Sequence, residues 1–179
     1  VLIFSSVSQL TLGKAADYVL GQADFTGTIA DAGATAMSAP WGIAYDAYSQ
    51  WLFVADSENN RVLVFQPDAG VWSNGMAAKY VIGQTDFGAT ADGTSSTKLR
   101  YPAGLDWVST KRRLYVADKG NARILAYNFG LQMSSGMDAS AVVGQANFNT
   151  NTQGLGPNRL LYPTGVRHSS NKNRLFVGD

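Results

Sequence analysis

One block of residues recurs at a nearly constant interval, and nothing else in the chain restricts its fold as much. Pro40-Trp41-Gly42 is followed by Leu52-Phe53-Val54-Ala55-Asp56 and then by Asn59-Asn60-Arg61-Val62-Leu63-Val64-Phe65. Pro102-Ala103-Gly104, Leu114-Tyr115-Val116-Ala117-Asp118 and Asn121-Ala122-Arg123-Ile124-Leu125-Ala126-Tyr127 repeat it, and Pro163-Thr164-Gly165 with Leu175-Phe176-Val177-Gly178-Asp179 begins a third copy. Pro40 to Pro102 is 62 residues and Pro102 to Pro163 is 61; within each copy the proline lies 12 residues before the leucine of the second run. A second signature falls between copies, as Gly21-Gln22-Ala23-Asp24-Phe25, Gly83-Gln84-Thr85-Asp86-Phe87 and Gly144-Gln145-Ala146-Asn147-Phe148. Fixed internal spacing at a fixed period marks one supersecondary unit used repeatedly.

The runs inside a unit are short, β-branched or aromatic, and bounded by turn residues, which predicts strands. No window combines an apolar period near 3.6 with capping signals, so little helix is expected. Val1-Leu2-Ile3-Phe4 aligns with Val62 to Phe65 and reads as a third strand. Four strands per unit, joined by turns, predict an all-β chain of four-stranded antiparallel β-propeller blades. The chain holds three blade equivalents, divided as 1–61, 62–123 and 124–179, within a single propeller segment. The connections Thr26 to Ala39, Gly88 to Tyr101 and Asn149 to Tyr162 keep their length while changing composition. That pattern predicts a fixed path over the surface.

The pattern Pro-X-Gly, Leu-Phe/Tyr-Val-Ala-Asp, Asn-X-Arg-Val/Ile-Leu resembles the NHL repeat, and Gly-Gln-X-Asp-Phe resembles a bacterial subset with longer blades. Asn147 and Gly178 depart from the pattern. The resemblance implies a propeller, most often six-bladed, whose first strands line a central channel; this chain would supply half of one. It also implies a role in protein interaction or assembly, and an extracellular or cell-surface location.

Composition narrows the chemistry. A hydrophobic share of 45% places the chain among globular rather than disordered proteins. The net charge of +1 gives no general pull toward nucleic acid. With no cysteine there is neither a disulfide framework nor a thiolate metal site. No apolar run reaches the roughly 18 residues of a membrane span.

Asp56-X-X-Asn59-X-Arg61 and Asp118-X-X-Asn121-X-Arg123, with Asp179 opening a third copy, are the most chemical-looking clusters. Their recurrence and their place in the turn after the second strand favour a structural reading, the side chains bonding local backbone or a neighbouring blade. The phenylalanine of the second signature is expected beneath the long connection, with its aspartate capping a turn. His168, the single histidine, reads as a solvated turn residue, and no acidic set accompanies it. No catalytic residue and no metal ligand are assigned. Asp31, Asp92 and the 147–158 region form no calcium loop, so no cofactor is implied, although a divalent ion at the channel is compatible with the family. Lys111-Arg112-Arg113 and Lys172-Asn173-Arg174 occupy equivalent turns of adjacent blades, where the first copy has Tyr48-Ser49-Gln50. One basic patch for nucleic acid is the alternative, and solvated turn charge is the expected reading.

The expected function is a non-enzymatic module that binds a protein partner or itself. Its face carries the long connections and the Asp-X-X-Asn-X-Arg turns, with Trp41, Arg100, Tyr101, Arg159 and Tyr162 as candidate ligand residues. One alternative is a propeller lyase or hydrolase with a metal at the channel; another is a carbohydrate- or peptide-binding propeller using Trp41, Trp72 or Tyr101. Half-blades at the two ends are complementary, so either the sequence is part of a longer chain or copies assemble head to tail, as a dimer or a filament.

Overall fold

Wherever all four runs of the repeat are present, they form one antiparallel sheet. The computed structural model describes residues 1–5, 8, 11–130 and 132–179. Its strands are β1 (Leu2–Ile3), β2 (Tyr18–Val19), β3 (Pro40–Asp46), β4 (Trp51–Asp56), β5 (Arg61–Phe65), β6 (Tyr80–Ile82), β7 (Pro102–Val108), β8 (Arg113–Asp118), β9 (Arg123–Asn128), β10 (Ala141–Val143), β11 (Gly165–Ser169) and β12 (Arg174–Gly178). Sheet order is β3-β4-β5-β6 in the first blade and β7-β8-β9-β10 in the second. β1 pairs with β2 and β11 with β12, each a half-blade. The chain is therefore all-β and a partial β-propeller.

The registers of the two blades coincide: Asp56 opposes Arg61, Asp118 opposes Arg123, and both inner strands bulge just after their proline. β4 and β5 are buried along their whole length. Each is covered on both sides, which explains why their sequences run apolar without alternation. Phe53 and Trp107 stack at 5.0 Å between blades one and two, and Trp51 and Phe129 close the same cluster edge-on or tilted. Such aromatic pairs add to simple area burial. β1 and β2 pack on the opposite side of blade one, where Val1 and Ile3 meet Leu52, Val54 and Phe65. Leu175 and Val177 of β12 pack on blade two against Tyr115 and Ile124.

The strands running through each sheet divide the molecule into two ends. One, the connection face, carries the long connections and the turns after Asp56 and Asp118; the other, the turn face, carries the turns that leave the inner strands. At the turn face the blades are joined by Ser109 Oγ, which donates to Asp46 Oδ1 at 2.6 Å, and by the His168 amide, which donates to Asp106 Oδ2 at 2.7 Å. Burial pushes the Asp46 carboxyl up, but the hydroxyls of Ser109 and Ser49 more than offset it and hold the group below the usual carboxylate range. Among the described residues no helix is long and apolar enough to cross a membrane.

The inner strands approach so closely that the Pro-X-Gly glycines become part of the seam. A Cβ on Gly42 would lie 2.3 Å from the Ala103 carbonyl oxygen, and one on Gly104 would lie 2.6 Å from that of Thr164. Backbone cannot yield as a flexible side chain can. Gly104→Ala is therefore expected to cost about 1–3 kcal/mol of stability through overpacking, read as a lowered urea midpoint with an unchanged slope. An unaltered midpoint would mean that the seam is looser than this geometry.

Candidate functional site

The connection face is built around two buried guanidinium groups. Asp56 and Arg61 face each other across the turn between β4 and β5, which brings Arg61 Nε to 2.7 Å from Asp56 Oδ2 with both side chains fully buried. Asn59 Nδ2 donates to the same oxygen at 2.9 Å, and the Ser38 amide donates to Oδ1 at 2.6 Å. The remaining guanidinium N–H groups donate to the carbonyls of Gly33, Ala36 and Phe87. Arg61 thus holds two successive connections at once.

The second copy repeats this arrangement. Arg123 Nε lies 2.7 Å from Asp118 Oδ2, and its other nitrogens donate to the carbonyls of Thr94, Ser95, Lys98 and Phe148. Asn121 donates to Asp118, and Asp118 accepts from the Arg100 amide at 2.7 Å. Asp179 occupies the matching place in the third copy, accepting from the amides of Leu161 and Tyr162. In every copy this aspartate fixes the backbone two residues before the Pro-X-Gly. Burial pushes the Asp56 and Asp118 carboxyls above the usual carboxylate range, against the opposing pull of the asparagine, arginine and backbone donors. Seven polar side chains that look catalytic in the sequence are in this way engaged with the fold's own backbone and with one another.

The second signature has a related task. Gly83 has a φ of +87°, and a Cβ there would meet Leu99 at 2.6 Å, so this turn requires glycine. Gln84 Nε2 donates to the carbonyls of Asn60 and Ala91, tying the outer strand to the connection. Hydrogen bonds from Thr26 hold Asp24 below the usual carboxylate range, and those from Thr85, Gly88 and Ala89 do the same for Asp86. Asn147 takes the equivalent turn bond from the Asn149 amide, so the exchange of aspartate for asparagine is absorbed locally. The phenylalanines depart from expectation: Phe25 is exposed, and Phe87 and Phe148 are half-buried. Phe87 and Phe148 still pack against the core clusters, while Arg61 and Arg123 hold the connection through its carbonyls.

Trp41, Tyr101 and Tyr162 come together on this face. They line a hollow of about 290 Å³ whose wall is largely carbon, with Glu58 and Lys119 among its lining residues. Trp41 is 64% exposed and carries Lys119 Nζ 5.3 Å above its ring. Amide bonds to Asn60 and Asp179 fix the backbone of Tyr101 and Tyr162. The two arginines expected beside these rings lie elsewhere. Arg100 pairs with Asp92 at 3.1 Å, and Arg159 lines a separate hollow with Gln145 and Thr152. Trp72 stands by β1, away from the other two tryptophan and tyrosine candidates. Lys119 and Glu58 fill variable positions of the Asp-X-X-Asn-X-Arg turn, where the repeat itself carries no signal.

His168 corrects the reading of a solvated turn. It belongs to β11, is only 9% exposed, and stacks on Tyr115 with ring centroids 5.9 Å apart. The turn begins two residues later than its polar sequence suggests, because Arg167 and His168 occupy register positions opposite Phe176 and Leu175. Asp46 and Asp106 were also missed. Each is an acid in an inner strand at a place where the other copy has none.

Replacing Arg123 by leucine would leave Asp118 buried without its counter-charge and free four or more carbonyls of the connections. The expected loss is about 3–5 kcal/mol, measured by urea unfolding. Lysine should not restore it, since a point charge cannot match the planar fork.

The family model of the NHL repeat matches residues 37–65, from the end of the first connection through β5. No curated protein matches the chain. The matched segment holds Pro-X-Gly, β4 and the Asp56–Arg61 turn, and blade two reproduces each in the same register. Residues 37–65 are thus an NHL repeat, and the second blade is built on the same pattern.

Proposed function

We propose that the chain is a non-enzymatic protein-interaction module that binds a partner segment on the connection face. The observation that carries this reading is the hollow between Trp41, Tyr101 and Tyr162. Exposed aromatic rings supply large contact area at small entropic cost, and such rings dominate interface energetics. Here they stand on backbone already held by Asn60 and Asp179, so little ordering remains to be done on binding. A short peptide segment with an apolar side chain fits a carbon-lined hollow of this size. Panning a displayed peptide library against the protein tests this. Enriched peptides should lose about tenfold or more in affinity on Trp41→Ser with Tyr101→Ser, the scale of an aromatic anchor. Peptides indifferent to both substitutions would place the binding face elsewhere.

A second reading, self-association, is favoured by the seam between blades. A Cβ on Gly165 would meet nothing within 4 Å, although its counterparts Gly42 and Gly104 are covered by the next inner strand. Phe176 is 57% exposed, whereas Phe53 and Tyr115 at the same register position are buried. Beside β1, an apolar hollow of about 400 Å³ is walled by Ile3, Ile43, Tyr45 and Leu52. These are the two sides of one inter-blade seam, and β11 with β12 from a second copy matches what the second side lacks. A dimer is expected in sedimentation across a dilution series. Gly165→Val should weaken it about tenfold or more while leaving the single chain folded. A monomer at every concentration overturns self-association and leaves the peptide reading standing.

A further inference from the structure

At the turn face, the segments that leave the inner strands differ in charge from blade to blade. Residues 47–50 carry none. Residues 109–113 bring Lys111, Arg112 and Arg113, and residues 167–174 bring Arg167, Lys172 and Arg174, with no carboxylate in either segment. The fold joins the two segments: Lys111 Nζ donates to Asn173 Oδ1 at 2.5 Å and lies 3.3 Å from His168 Nε2. Six cations therefore stand at one end of adjacent blades. Arg112 is bonded to the carbonyls of Phe129 and Gly130 and Arg113 to Asn128, which leaves Lys111, Arg167, Lys172 and Arg174 on the side of the third copy.

Between the two segments lies a polar cleft of about 160 Å³, lined by Asp106, Thr110, Arg167, His168 and Ser170 among others. Asp106 is its acid, and both of its oxygens are engaged. Oδ1 accepts from Arg167 Nη1 at 2.9 Å, and Oδ2 accepts from the His168 amide. The Arg167 side chain is 81% exposed, so the rest of its fork faces solvent. His168 Nε2 lies 3.3 Å from Lys111 Nζ and 3.4 Å from Asn173 Oδ1, so it faces a donor and an acceptor at once. Its Nδ1 is buried without a partner among the described residues. The guanidinium hydrogens of Arg167 that do not reach Asp106 are thus open to an added anion at the mouth of the cleft.

We propose that this cleft is an anion site for an acidic protein segment. One carboxylate side chain of the segment pairs with Arg167 in the cleft, and flanking acids meet Lys172 and Arg174. The site is distinct from the aromatic hollow, which lies at the opposite end of the blades. A peptide fits better than nucleic acid. The cations are confined to two turns instead of tracking a backbone, the cleft admits a carboxylate but not a nucleotide, and the whole chain carries only +1.

Fluorescence anisotropy with a labelled hexaglutamate peptide at low ionic strength tests the site. Saturable binding is expected, with a loss on raising salt because exposed charges are screened. Arg167→Gln should weaken it by about tenfold, the scale of one charge-assisted contact. The double variant Lys172→Gln with Arg174→Gln should weaken it similarly, and its two exposed side chains keep the test decisive if Arg167→Gln disturbs the seam. Trp41→Ser should change nothing. Equal binding of hexaglutamine, or affinity unchanged in both variants, overturns the site. Tighter binding of an oligothymidine of equal charge overturns the assignment to an acidic protein segment.

Discussion

The connection face depends on the two buried arginines. A buried ion pair by itself contributes little, because the cost of desolvating both charges consumes most of the attraction. Asp56–Arg61 and Asp118–Arg123 gain their importance from what the remaining guanidinium hydrogens do. The long connections have no strand partner, and their carbonyls near the core would otherwise be buried unpaired. Arg61 answers Gly33, Ala36 and Phe87, and Arg123 answers Thr94, Ser95, Lys98 and Phe148. Since each arginine touches the end of one connection and the start of the next, neighbouring connections are held in relation to one another. Constant connection length follows from this geometry, while composition is free because the bonds go to carbonyls.

Glycine at the inner seam imposes the second constraint. Gly42 against Ala103 and Gly104 against Thr164 let the inner strands approach to backbone contact. Trp41 follows Pro40 in one blade, and Tyr101 and Tyr162 precede the proline in the other two. The tightness of the seam is what carries these three rings, one from β3 and two from the ends of the connections that lead into β7 and β11, into one hollow. A bulkier seam would spread them apart. The glycines shape the candidate binding face without touching any ligand.

Sequence patterning made the architecture legible because a propeller repeat has a long period and each blade repeats the same turn chemistry. The Asp-X-X-Asn-X-Arg turn could be placed after the second strand, and its role as a local backbone partner follows from its spacing. A reach beyond the turn was legible, but the partners were not, since Gly33 and Phe87 lie 28 and 26 residues from Arg61. Of the three signature phenylalanines, Phe87 and Phe148 pack partly against the core and Phe25 is exposed, a difference that the shared turn held by Asp24, Asp86 and Asn147 does not reveal. His168 was hidden by its neighbours. Arg167, Ser169 and Ser170 read as a turn, while pairing with β12 keeps the residue in a strand. The hollow itself was only half legible: Trp41, Tyr101 and Tyr162 stand out as aromatics beside a proline, but Lys119 joins them solely through packing.

A division between shared and copy-specific positions runs through the molecule. Positions alike in every copy close the fold: the Pro-X-Gly glycine, the aspartate that holds the next inner strand, and the glutamine of the outer signature. Their polar groups are already engaged with backbone, which leaves little chemistry for a ligand. Several positions that differ between copies are exposed. Trp41 has Ala103 as its counterpart, Tyr101 has Ala39, and Lys111 and Lys172 stand where the first blade has an uncharged turn. A ring of equal blades can distinguish a partner only where the blades are unequal. Aromatic inequality lies on the connection face and cationic inequality on the turn face, so the two ends of the same sheets expose different chemistries.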